Sequence, residues 1–122
     1  MEKRPRILFL YTEIANYFLA CMRELHKSAD IAIVRWAVNK EAPFNFSENN
    51  KVNIYSKADY NFSELKNLVK DINPTVIICS GWIDKDYLKI SKSYFKTIPT
   101  IMTCDTHWRG DLKQRVAMVL SR

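Results

Sequence analysis

Residues 7–11 form an unbroken apolar run of strand length behind a short basic leader with Pro5, and such a run fits a strand buried on both faces. From Ile14 the rhythm changes. Ile14, Phe18, Cys21, Met22 and Leu25 recur at helical spacing, with Arg23, Glu24 and Lys27 on the other side, which predicts a helix to about Ser28. Residues 31–38 are again apolar and β-branched, broken only by Arg35, and predict a second strand. Pro43 and the polar cluster at 47–50 then predict a loop over 39–50.

Val52, Ile54 and Tyr55 predict a short third strand. Asn61 stands three residues before Glu64, the spacing of a capping box, in which each side chain serves the other residue's free amide. A second helix follows, with Phe62, Leu65, Leu68, Val69 and Ile72 as its apolar face. It is expected to stop at Asn73, because a proline at the next position disfavours the helical conformation there. Residues 75–79 predict a fourth strand, leading into Ser80 and Gly81. Asp84 is placed to cap a third helix with Tyr87, Ile90 and Tyr94 inward and Lys85, Lys89, Lys92 and Lys96 outward. Residues 98–104 predict a fifth strand, and a last helix is expected near Asp111 with Leu112, Val116, Val119 and Leu120 on one side.

Strands alternating with helices imply crossover connections, hence parallel neighbours. The expected fold class is α/β, an open, Rossmann-like parallel sheet of about five strands with helices on both faces. Right-handed crossovers and the usual reversal of strand order give 3-2-1-4-5, with a switch point between the first and fourth strands.

Composition narrows the chemistry. The 122 residues suit one domain, 1–122, and 48% apolar with 26% charged residues is ordinary for a folded chain, so disorder is excluded. Glycine excludes more: usual usage would supply about eight or nine, and the chain has two, Gly81 and Gly110. A dinucleotide fingerprint or a phosphate-cradling P-loop needs closely spaced glycines, because only a residue without Cβ lets the backbone approach a pyrophosphate. Neither motif fits. With two histidines and three cysteines lacking CxxC spacing, no metal site is expected. Cys21, Cys79 and Cys104 lie in apolar stretches, which suits reduced thiols and a cytoplasmic location. The amino terminus superficially resembles a secretory leader. Glu13 and Asn16 interrupt its apolar segment, and no stretch reaches the roughly 18 residues of a membrane span, so it is read as folded structure.

Ligands of open parallel sheets bind beyond the carboxyl ends of the strands near the switch point. That rule selects Thr12 and Glu13 after the first strand, Ser80, Gly81, Trp82 and Asp84 after the fourth, and Asp105, Thr106, His107, Trp108 and Arg109 after the fifth. Polar groups beside an indole suit hydroxyls and the apolar face of a sugar. The structural alternative is that Trp82 and Trp108 cover the sheet edge while Asp84 and Asp111 only cap helices.

The segments VIICSGWIDKDY, over 76–87, and IPTIMTCDTHWRGDLKQR, over 98–115, resemble the amino-terminal domain of glycosyltransferases of the two-Rossmann-domain (GT-B) type, close to the family-four sugar transferases. Trp108, Gly110, Lys113 and Gln114 form a WxGxxKQ pattern similar to a subset of them. The resemblance implies an acceptor-binding amino-terminal domain of a longer enzyme that moves a sugar from a nucleotide-sugar donor to a saccharide or lipid-linked acceptor. It implies Asp105 or His107 as the catalytic group facing the cleft, with Glu13, Ser80, Gly81, Trp82, Trp108 and Arg109 binding substrate. It also implies no cofactor here, the nucleotide sugar belonging to a carboxy-terminal domain absent from this chain. The family's glycine-rich loop after the first strand is replaced by Tyr11, Thr12, Glu13, Ile14 and Ala15.

Two rivals fit less well. A formyltransferase-like enzyme shares an HWRG-like turn but needs an Asn, His and Asp set at intervals not found here. The other is a non-enzymatic receiver-like or partner-binding module; a receiver needs acidic residues ending the first strand and a phosphoacceptor aspartate ending the third, where this chain offers Glu13 at best and Ser56. The net charge of +6 raises nucleic acid as a partner, but the lysines at 85, 89, 92 and 96 lack aromatic interleaving, so none is expected. A solvated helix face, or weak attraction to anionic lipid at the inner membrane face or to an acidic saccharide, accounts for them better.

Overall fold

The computed structural model describes residues 3–37, 52–103 and 109–120. Among the described residues five strands and four α-helices follow one another as β1 (Arg6–Leu10), α1 (Asn16–Leu25), β2 (Asp30–Arg35), β3 (Asn53–Ser56), α2 (Phe62–Ile72), β4 (Val76–Ser80), α3 (Lys85–Tyr94), β5 (Thr100–Thr103) and α4 (Leu112–Leu120). The strands form one sheet in the order β3-β2-β1-β4-β5, and every neighbouring pair is parallel. This is the expected α/β fold and the expected order. The expected loop over 39–50 and the expected fifth-strand residue Cys104 lie outside the described residues.

Successive side chains of a strand point to opposite faces, and the core divides accordingly. Leu8 and Leu10, with Ala32, Val34, Ile77 and Cys79, pack beneath α2 (Leu65, Val69) and α3 (Tyr87, Ile90). Phe9, Ile31 and Ile33 pack on the other face with Leu19 and Met22 of α1. The chain therefore leaves β1 toward one face and β4 toward the other, although the two strands are neighbours.

α2 begins at a complete capping box: Asn61 Oδ1 accepts from the Glu64 amide at 2.9 Å, and Glu64 Oε2 accepts from the Asn61 amide at 2.7 Å. It ends at Asn73, left-handed at φ 49°, followed by buried Pro74. Of the face predicted for the first helix, Ile14, Phe18, Met22 and Leu25 pack into the core, whereas Cys21 is exposed and Leu19 is buried beside Met22; α1 itself starts later than predicted, at Asn16. The apolar side of α4 is formed as predicted, yet Leu112, Val116, Val119 and Leu120 are exposed.

Candidate functional site

At the switch point the carboxyl ends of β1, β2 and β4 are tied together by short polar contacts. The Thr12 amide donates to Ser80 Oγ at 3.3 Å, and the Trp36 amide donates to the Thr12 carbonyl at 3.1 Å. Gly81 turns the chain out of β4 at φ +67°. A Cβ there would sit 3.7 Å from the Thr103 carbonyl, an ordinary contact, so the backbone conformation rather than space selects glycine. Trp82 follows, 41% exposed, and Trp36 beyond β2 is 37% exposed. In sheet order the two indoles flank the end of β1.

Beneath this rim lies a buried charge. Asp84 caps α3 by accepting from the Asp86 and Tyr87 amides at 2.9 and 3.0 Å, and its other oxygen accepts from Trp36 Nε1 at 2.7 Å and Lys57 Nζ at 2.6 Å. Lys57, in a 3₁₀ turn directly after β3, also lies 3.3 Å from Asp86. Burial alone would raise the Asp84 carboxyl, but the Lys57, Tyr87 and Trp36 hydrogen bonds outweigh it and hold the group below the usual carboxylate range. Burial alone would lower Lys57, and its bonds to Asp84 and Asp86 raise it instead. With four donors the carboxylate has no lone pair left to take a substrate proton. It works as a strut that fixes the edge of the Trp36 ring.

The Tyr87 hydroxyl donates to the Tyr11 and Val34 carbonyls at 2.9 and 3.3 Å, bracing the ends of β1 and β2 from below. Burial, helped by the Asp84 charge, pushes that hydroxyl far above its ordinary value, so it remains a donor at all ordinary pH. Cys79 is buried under the same rim, and burial followed by the nearby Asp84 charge pushes its thiol up.

Of the residues selected from sequence, Thr12, Ser80, Gly81 and Trp82 stand together at the switch point. Glu13 is exposed beside them. Arg109 is exposed, and its amide and that of Gly110 donate to Gln114 Oε1 at 2.7 and 3.0 Å, while the Gln114 amide donates to Asp111 Oδ1 at 2.8 Å. Gln114 and Gly110, at φ +68°, thus close the turn that starts α4. Asp105, His107, Thr106 and Trp108 lie outside the described residues. Asp84 does cap α3, but capping is only half of its role. Lys57 and Trp36 were missed. The signal was positional, since both follow a strand on the ligand side, but the predicted second strand ran through Trp36 to 38 and hid its place at an end.

A cavity of about 380 Å³ lies at the opposite, amino-terminal edge, beside Arg6, Asp30 and Asn53. That edge is not where ligands of such sheets bind. Among the described residues no cluster of His, Cys, Asp and Glu is suited to a metal ion, and no helix is long and apolar enough to cross a membrane.

The fold defines an open parallel α/β domain with a topological switch point between β1 and β4. No protein-family model matches the chain, and no curated protein matches it significantly. Among solved structures it is similar to the ATPase DotB of Legionella pneumophila, at 15% identity and a TM-score of 0.47, over 99% of this chain and 35% of that one. The chain thus spans about a third of that protein's length.

Proposed function

We propose that this chain is the acceptor-side domain of a glycosyltransferase of the two-Rossmann-domain type, binding a saccharide or lipid-linked acceptor while a second domain holds the nucleotide sugar. The observation that carries the reading is the pair of part-exposed indoles, Trp36 and Trp82, flanking the Thr12–Ser80 contact at the switch point. An indole offers a flat apolar face to the C–H side of a sugar ring, and the adjacent hydroxyls and amides serve its polar side. In this reading Ser80, Gly81, Trp82, Trp108, Arg109 and Glu13 line the acceptor site, and Asp105 or His107 orients the acceptor hydroxyl. The domain needs no cofactor of its own, because two glycines provide no phosphate cradle. The exposed Ile101 and Met102, on opposite faces of edge strand β5, support a further body packing there. Three cysteines suit the cytoplasm.

The test is the transfer rate of the two-domain enzyme carrying Asp105→Asn or His107→Ala. Loss of one charged hydrogen bond to the acceptor costs about 1.5–3 kcal/mol, at least roughly tenfold in kcat/KM. One variant is expected to show that loss with an unchanged thermal melt. Wild-type rates in both would overturn the assignment.

A further inference from the structure

The lysines of α3 form a surface that the sugar-binding reading does not use. Lys85, Lys89 and Lys92 are exposed on the side away from buried Tyr87 and Ile90, and Lys96, just beyond the helix, is exposed as well. The only acidic residue of α3, Asp86, lies against Lys57. The structure adds to this stripe from α2. Lys89 Nζ lies 5.1 Å from the centroid of the Phe62 ring and Lys66 Nζ lies 5.9 Å from the same ring, so one aromatic gathers two like charges from neighbouring helices. Among the described residues these five lysines pair with no carboxylate. Phe95, directly beyond α3, is 56% exposed with Lys96 Nζ 5.9 Å from its ring centroid.

We propose that the α2–α3 face docks on an anionic lipid surface, with the α3 lysines at the headgroups and Phe95 at the boundary with the acyl chains. Charge complementarity selects the occupant: these cations have no carboxylate partner among the described residues, and the bond that Lys92 Nζ donates to the Leu120 carbonyl at 3.3 Å leaves its charge uncompensated, so the face attracts a polyanion, and an exposed aromatic beside it suits the headgroup boundary. Nucleic acid fits less well, because Phe95 is a single ring at one end of the stripe and offers no series of stacking faces. The proposal does not rest on the glycosyltransferase reading.

The test is co-sedimentation of the chain with phosphatidylcholine vesicles, with and without about one third phosphatidylglycerol. Binding is expected only with phosphatidylglycerol and is expected to vanish near 0.5 M salt, where the Debye length shrinks to a few ångström. Each lysine at such a surface is worth about fivefold in partitioning, so Lys85→Gln with Lys96→Gln should weaken binding roughly 25-fold. Lys3→Gln with Lys27→Gln removes the same charge elsewhere and should change little, and Phe95→Ser should weaken binding without altering the salt dependence. Circular-dichroism melts confirm that each variant folds. No binding to the anionic vesicles, equal loss in both lysine pairs, or tighter binding to a DNA oligonucleotide than to vesicles overturns the proposal. The assay contains no sugar, so its failure leaves the acceptor reading untouched.

Discussion

Asp84 is 3% exposed at its side chain, and it stays ionised because each bond it accepts favours the charged form. The pH dependence follows from the direction of each shift. A depressed folded pKa contributes stability that is present above the unfolded value of about 3.9 and is lost as pH falls through the folded value. Lys57 is raised, so its contribution is present below its ordinary 10.5 and is lost as pH rises through the folded value. Urea unfolding should therefore be flat through neutrality and weaken at both extremes. Lys57→Met leaves a buried carboxylate without its counter-ion, which typically costs about 3–5 kcal/mol; the low end is expected, because two amides and an indole still serve Asp84. A wild-type urea midpoint in Lys57→Met would show that the strut carries no load. The two described cysteines separate as cleanly. Cys21 is exposed and should react at once with a thiol reagent, whereas Cys79 is buried with its thiol pushed up and should react only on unfolding. Equal rates under native conditions would contradict that burial.

At the scale of elements, local signals read from the sequence persist where one residue's chemistry decides the outcome. The Asn61–Glu64 box and the stop at Asn73–Pro74 are both present, and α2 begins and ends where they place it. Asn61→Ala should lower stability by about 1 kcal/mol, since an Ncap side chain satisfies an otherwise orphaned amide. A denaturation midpoint equal to wild type would contradict the cap. Boundaries set only by apolar runs were less legible. Residues 31–38 read as one strand because Trp36 and Ala37 continue the apolar pattern, but the pairing with β1 and β3 ends at Arg35. Trp36 instead turns its ring nitrogen to Asp84, 48 positions away. That partner is invisible to any local pattern, and the same is true of Lys57 and Asp84, 27 positions apart. The candidate site was therefore legible as a set of strand ends, Thr12, Ser80, Gly81 and Trp82, and illegible as the charge network that holds Trp36 among them.

For the whole molecule, alternation and handedness sufficed for strand order, because few topologies let helices cover both faces of a parallel sheet. That order puts β1 beside β4 with their connections on opposite faces, and in sheet order it places the switch point between Trp36 and Trp82. In the proposed function this edge receives a saccharide and no nucleotide sugar. The direct measurement is a nitrogen-15 NMR titration of the chain, first with a panel of neutral oligosaccharides and then with UDP- and GDP-sugars. The expected result is saccharide-induced shifts at the amides of Thr12, Gly81 and Trp82 and at the Trp36 and Trp82 indole N–H groups, with no saturable shifts from either nucleotide sugar. Saturable micromolar binding of a nucleotide sugar, or saccharide shifts confined to the opposite edge around Arg6 and Asn53, would contradict it.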